Sequence, residues 1–386
     1  MKIKTIKYII MGIILFFLIY INKDKIPMPV ELKTFDFIIS SGIDIDLKSN
    51  EFGISYISGE EPGNKNDKSN ANKNIFNVKS NTFNKTFEKI QSLTNKSFND
   101  SHLEYILIGE NTAKNNLDYF IDYYTKKTNM RLDVYAFITK DMSSENFIKK
   151  ILFSKIDADA RLDGLVNDKT RLSSLTKKNL KDIMQLFYSE NKTGLIPVLA
   201  VKKSPIETND KFDKSDESDE KYTFDFDGLG IIKDGKLIDY LPHSLVRSYI
   251  IIIKTLKMSD IEITDENNDL FVFSIKNSKN KISCEFDKNN IPEKVIFKIE
   301  IETKLDESTA KNDIDINQLN ELQSNKIKSE IEELIEISKK TETDFLNIGE
   351  ILNIKHPYKW HVIKNNWPDI FKNIEYEINV TAKRRK

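Results

Sequence analysis

The chain reads as α+β, carried behind an N-terminal membrane anchor. Three observations support this. Residues 294–305 and 374–382 alternate apolar and polar with a period of two, as antiparallel strands with one wet face do. Between them, residues 316–341 form a long amphipathic pattern with Ile327, Ile331, Leu334 and Ile335 on one stripe. Strands and helices fall in separate groups rather than alternating, which favours α+β over a parallel α/β sheet.

The anchor comes first. Lys2, Lys4 and Lys7 precede an uninterrupted apolar run, residues 8–21, which stops at Asn22-Lys23-Asp24-Lys25. No small-x-small cleavage site follows, so the run is expected to stay as an uncleaved anchor, with a cleaved signal peptide as the alternative. Lys4 and Lys7 can snorkel and lengthen the span. Basic flanks stay in the cytoplasm, so residues 1–7 are expected inside and the remainder exported. Pro27 and Pro29 then break any continuing helix.

The body follows in order. Residues 35–44 read as a strand broken at Gly42, and residues 59–74 as a loop nearly devoid of apolar side chains. Residues 83–93 read as a helix with Phe83, Phe87 and Ile90 on one face. A strand at 103–108, a helix at 117–125, a buried strand at 131–139 and a helix at 176–190 come next. A strand at 196–201 leads to a charged, aperiodic stretch at 204–221. Asp234-Gly235 between apolar runs 224–232 and 236–240 is a hairpin signal. Residues 345–371 are helical with interruptions at Pro357 and Pro368.

Composition narrows the chemistry. Lys+Arg 59 against Asp+Glu 60 gives a net charge of −1, with no global field for nucleic acid. One cysteine, Cys284, excludes an intrachain disulfide and a cysteine-based zinc site. It shares the parity of Ile282 and Phe286 and is expected to be a buried, inert thiol. Four histidines leave little for imidazole chemistry; His356 and His361 are spaced five apart with Pro357 between them, unlike a helical metal pair. Gly230 to Lys236 fits half of a phosphate loop, but Leu237 stands where a hydroxyl must hold Mg²⁺, and the context is strand–turn–strand. The pairs Asp44/Asp46 and Asp225/Asp227 read as solvated turn residues. The terminal Lys383-Arg384-Arg385-Lys386 reads as a solvated tail that can also touch anionic lipid.

Five stretches in order complete the pattern: Glu31-Leu32 with Ser41-Gly42-Ile43-Asp44; residues 102–141 (HLEYILIGENTAKNNLDYFIDYYTKKTNMRLDVYAFITKD); residues 179–203; residues 226–241 (FDGLGIIKDGKLIDYL); and residues 347–386, with Gly349, Pro357, Trp360, Trp367 and Phe371. Together they resemble the Ger(x)C family, the C subunit of nutrient germinant receptors in endospore-forming bacteria. The resemblance implies an α+β ectodomain of three domains, divided here as 30–194, 195–257 with a mobile loop at 204–221, and 258–386. It also implies no catalytic residues, no cofactor and no metal. The protein would sit on the outer face of the spore inner membrane beside A- and B-type membrane subunits, with the germinant bound by the B subunit. One departure stands out: Ile26 occupies the position of the family's lipidated cysteine. No lipidation is therefore expected, and the anchor at 8–21 takes its place. The alternative is a tethered extracytoplasmic solute-binding protein, suggested by the aromatic-rich residues 119–135.

Overall fold

The computed structural model describes residues 35–58, 75–93, 97–126, 131–154, 158–188, 192–204, 221–310 and 315–384, with scattered positions between 7 and 20. Ile26, Glu31, the stretch 59–74, nearly all of 204–221 and much of the apolar run lie outside those residues. Among the described residues no helix is long and apolar enough to cross a membrane.

Nine strands form the first sheet: β1 (Phe35–Asp46), β2 (Glu51–Ser58), β3 (Ile75–Ser80), β4 (Ser97–Asn99), β5 (Tyr105–Gly109), β6 (Tyr135–Thr139), β7 (Gly194–Lys203), β8 (Tyr222–Lys233) and β9 (Lys236–Pro242). Their order is β3-β2-β1-β5-β6-β7-β8-β9, with β4 beside the start of β1. The centre, β1-β5-β6-β7, is parallel, and the two flanks are antiparallel.

This corrects the expected segregation of strands from helices. Parallel neighbours need crossovers, and helices supply them. Between β3 and β5 runs α1 (Phe83–Leu93); between β5 and β6 run α2 (Glu110–Asn115) and α3 (Leu117–Lys126). Between β6 and β7 run α4 (Ser144–Phe153), α5 (Ala158–Asn167), α6 (Leu172–Thr176) and α7 (Leu180–Tyr188). The central strands are short and buried on both faces: Ile106 and Ile108 face one core, Leu107 the other. Pro197 is tolerated in β7 because it sits at a bulge. The aromatic residues of α3 are core as well, with Phe120 and Tyr124 buried 4.7 Å apart.

The middle unit expected at 195–257 is not set apart by hydrogen bonding. β7, β8 and β9 continue the first sheet across the 194/195 boundary. The hairpin at Asp234-Gly235 is present, with both residues at positive φ (50° and 75°), as a primed two-residue turn requires. The phosphate-loop pattern is therefore a β-turn.

Four strands form the second sheet, in the order β10 (Asp260–Thr264), β11 (Leu270–Phe286), β12 (Pro292–Ser308) and β13 (Glu375–Arg384). The sequence pattern suggests an antiparallel β13, yet it pairs parallel to β12, from Lys294↔Glu375 to Thr303↔Arg384. The alternation was real, but it reports one wet face, not strand direction. The long helix α9 (Ile316–Lys340) carries the chain back across the sheet. Its N-terminus is capped by Asp315, which accepts from the Asn317 N–H.

Helix α8 (His243–Ile253) joins the two sheets. Its Val246, Ile250 and Ile251 share one apolar core with Phe137 and Leu229 of the first sheet and Phe273 and Phe297 of the second. A buried ion pair fixes it to α9: Arg247 Nη2 lies 2.5 Å from Glu330 Oε1, and the Ser248 hydroxyl donates to Glu330 Oε2. The two charged side chains are only 14% and 7% exposed. A buried pair contributes little against an apolar replacement, but breaking it leaves an uncompensated charge. Glu330→Ala is expected to destabilise by about 3–5 kcal/mol, and Arg247→Met combined with Glu330→Leu to recover most of that. Urea midpoints of the three proteins check both statements.

Candidate functional site

Two clusters of residues from the sequence blocks come together, each around one inward-facing carboxylate at a helix start.

The first lies at the carboxyl ends of the parallel strands. Asp44, near the end of β1, is buried and accepts from the Ser144 N–H, the Ser144 hydroxyl and the Glu145 N–H, each at 2.8 Å. It anchors the start of α4, where negative charge meets free amides and the positive end of the helix dipole. Burial raises its pKa above the ordinary carboxylate value, against the pull of these donors. Asp44 is thus no solvated turn residue, which corrects the sequence expectation. Gly42 causes no break in β1; it lies against α4, where a Cβ would come within 2.6 Å of the Ser144 hydroxyl. Gly109, at the end of β5, leaves room for Asp44, since a Cβ there would stand 1.9 Å from Oδ1.

The other acidic residues sit around this cluster. Asp46 behaves as expected: it accepts from the Lys48 and Ser49 amides in the β1–β2 turn, which lower its pKa. Asp227, inside β8, pairs with Lys140 at 2.7 Å, and Asp225 accepts from the Phe226 N–H. The Tyr240 hydroxyl donates to Glu110 at 2.7 Å, tying the hairpin to the end of β5. Burial pushes the Glu110 carboxyl up, but Lys114 and Tyr240 outweigh it and hold it below the usual range. The interior of this cluster is filled, and its chemistry is that of a clamp.

The second cluster borders a groove between α7 with the start of β7 on one side and the C-terminal helices on the other, a cavity of about 870 Å³. One wall carries Lys178, Asp182 and Tyr188 from α7 and its approach; the other carries Asp344, Trp360 and His361. The C-terminal helices α10 (Ile348–Lys355), α11 (Pro357–Ile363) and α12 (Trp367–Asn373) build that second wall. Pro357 and Pro368 stand in the first turns of α11 and α12, where a missing N–H is harmless. Asp344 opens in part on the groove, while its carboxyl is enclosed by donors: Ile348 N–H at 2.8 Å, Gly349 N–H at 2.6 Å and Trp367 Nε1–H at 3.1 Å. Burial pushes its pKa up to about 7, against the pull of the three donors. Gly349 allows the close approach: a Cβ there would lie 2.7 Å from the Trp360 ring. Trp360 and Trp367 meet edge to face at 5.2 Å. Beside them Lys233, on the first sheet, pairs with Glu342 at 3.0 Å, and Lys372 pairs with the same carboxyl. Those two lysines lower the Glu342 pKa to about 2.

Chemically, the groove offers aromatic walls with charges of both signs, a place for a small polar solute or a partner's side chains. Among the described residues no group of three or more His, Cys, Asp or Glu is placed to hold a metal ion. His356 stands at the N-cap position of α11 without a side-chain capping hydrogen bond and packs edge to face on Phe286, and His361 faces the groove. His243 packs on Phe226. Sequence reasoning missed Asp344, Ser144 and Gly109 as centres; the signals were Asp344 just ahead of a helix and Ser143-Ser144-Glu145 as an N-terminal cap.

Cys284 is half-buried rather than fully buried, because β11 lies beside the rim of α10. Burial still pushes its thiol up to about 11. Alkylation at about pH 8 should therefore run roughly a hundredfold slower in the native protein than in denaturant. Mass spectrometry of a timed iodoacetamide reaction reads the ratio.

Comparison with known proteins places these clusters in a family. Residues 29–201 match the spore germination protein N-terminal domain, and residues 227–386 match the "Spore germination B3/ GerAC like, C-terminal" family. The chain is 21% identical over 296 residues to spore germination protein B3 of Bacillus subtilis (strain 168), covering 73% of this chain and 72% of that protein. Its fold is similar to the crystal structure of the GerBC protein, with a TM-score of 0.55 and 17% identity, covering 90% of this chain and 97% of the other. Both clusters are built from residues inside the two matched regions, and on the two domain matches in their native order the chain belongs to the Ger(x)C family of spore germination proteins.

Proposed function

We propose that the chain is a non-enzymatic subunit of a nutrient germinant receptor. In this reading residues 8–21 tether it to the spore inner membrane, with the folded part on the outer face. The observation that supports it is the pair of family matches in tandem, accompanied by a fold likeness over 90% of the chain. A- and B-type membrane subunits are its partners, and the germinant is bound by the B subunit. Ile26 removes the site for an acyl chain. A spanning helix holds a protein more firmly than one acyl chain, so the tether replaces the lipid. Deleting the gene is expected to abolish germination with a subset of nutrients. The full chain restores it, and a chain lacking residues 1–21 does not. Normal nutrient germination in a strain lacking this gene and its paralogues overturns the proposal.

The groove favours a second reading, a tethered solute-binding protein. Calorimetry of the full chain with amino acids and sugars separates the two. Heat that vanishes in His361→Ala supports solute capture, and no heat with any of them removes it.

A further inference from the structure

The segment from Ile351 to Pro368 stands apart in charge. It holds Lys355, Lys359 and Lys364 with two histidines and no Asp or Glu, in a chain whose net charge is −1. It also carries an unusual set of exposed apolar side chains. Tyr358 is 90% exposed, Val362 70% and Ile354 71%. Tyr358 and Val362 occur at i and i+4 of α11, so they share its outward face. The inward face is fixed: Ile363 is buried and Trp360 packs on Trp367. The lysines at the base are also held. Lys355 Nζ donates to the Ile282 carbonyl, and Lys359 Nζ lies 3.7 Å from the centre of the Phe286 ring. Neither contact supplies a negative charge.

We infer that this edge of the C-terminal unit, with Tyr358 and Val362 at its tip, docks on an anionic lipid bilayer. Basic and no acidic residues within 351–368, with a tyrosine and aliphatic side chains exposed, make a composition that seats at a headgroup boundary; the nearby carboxylates of Asp182, Asp344 and Glu350 line the groove instead. The apolar tips enter the interface, and each nearby lysine adds ~1 kcal/mol against an anionic surface. A protein partner fits less well. Three apolar side chains offer about 400 Å², while a stable interface buries ~800 Å² per side. The inference rests on the proposed tether, which would hold the patch beside the same bilayer at high effective concentration.

The test uses the full chain carrying Tyr358→Trp, with the wild type as background, reconstituted in phosphatidylcholine vesicles with and without phosphatidylglycerol. Their acyl chains are brominated near the headgroup to quench tryptophan. The apolar run 8–21 contains no tryptophan, so extra quenching in the variant reports the patch alone. Quenching is expected with phosphatidylglycerol, and it should fall by more than half at about 1 M salt, where the Debye length is ~3 Å. Adding Val362→Asp, at an exposed position that folding does not need, should abolish it. Equal fluorescence of variant and wild type in both vesicle types overturns the inference, as does quenching that ignores salt and lipid charge. Alkaline carbonate extraction of the same vesicles reads the tether separately. A chain retained but unquenched sinks the patch and keeps the tether; a chain quenched but extracted does the reverse.

Discussion

Replacing Asp344 with alanine should lower stability by about 2–4 kcal/mol and erase a fluorescence transition centred near pH 7. The stability loss follows from three donors. The Ile348 and Gly349 amides and the Trp367 indole N–H all point at this carboxyl and would lose their acceptor together. Each orphaned buried donor costs ~1–3 kcal/mol; the sum is reduced because Asp344 borders the groove, from which water can reach them. The transition follows from the carboxyl pKa, pushed up to about 7 by burial. The unfolded chain ionises this group near pH 4. Between about pH 4 and pH 7 the folded protein therefore holds a proton that the unfolded chain has released. The stability this group contributes is full below that window and declines as pH rises through it, with a slope of at most ~1.4 kcal/mol per pH unit. The chain's two tryptophans both lie at this cluster, and Trp367 donates to the titrating oxygen. Their emission should shift through the same range in the wild type and stay flat in Asp344→Ala. Equal urea midpoints at pH 5 and pH 8 in both proteins would refute the assignment. The Asp344→Asn variant should be intermediate in stability between wild type and Asp344→Ala, since it keeps one acceptor oxygen but turns an amide donor toward another donor.

The hairpin, the amphipathic helix and the alternating strands were legible because each is a local pattern. Asp234-Gly235 needs only its own backbone to be a turn, and Ile327, Ile331 and Leu334 line up on α9 whatever covers them. Sheet order was not local. The series of strand, helix, strand, helix and strand at 103–201 was visible element by element, and its β5, β6 and β7 are parallel neighbours. Read in order, that series signals βαβ units, a pattern that the clean alternation of the last third does not share. Helix α8 was missed because His243–Ile253 is apolar nearly all round, with Ile250, Ile251, Ile252 and Ile253 consecutive, so it shows no stripe. The two clusters were legible only as residues. Asp44 and Ser144 are one hundred positions apart, and no spacing rule joins them. The family blocks flagged Gly42, Asp44, Gly349, Trp360 and Trp367, and the structure supplies the physical reason: Asp44 is one of the two inward-facing carboxylates, and the others lie at close approaches around these.

Gly109→Ala should cost about 3–4 kcal/mol, and most of that cost should disappear once Asp44 is also replaced by alanine. A Cβ at position 109 would stand 1.9 Å from Asp44 Oδ1 and 3.1 Å from the Ser144 nitrogen. The carboxyl has nowhere to retreat, because three hydrogen bonds of 2.8 Å hold it against the start of α4. Either the new methyl displaces β5 or the carboxylate abandons its donors; both disturb the centre of the first sheet. Asp44→Ala alone orphans the Ser144 and Glu145 amides and should cost about 2–4 kcal/mol. In the double variant the clash with the carboxyl is gone and chiefly the lost cap remains, so the two changes should fall short of additivity by about 3 kcal/mol. Asp44→Asn is the control that separates shape from charge: an asparagine fills the same space, so Gly109→Ala should stay expensive in that background. Full additivity of Gly109→Ala with Asp44→Ala would mean that the glycine is required for another reason, and the clamp at the carboxyl ends of β1 and β5 would lose its explanation.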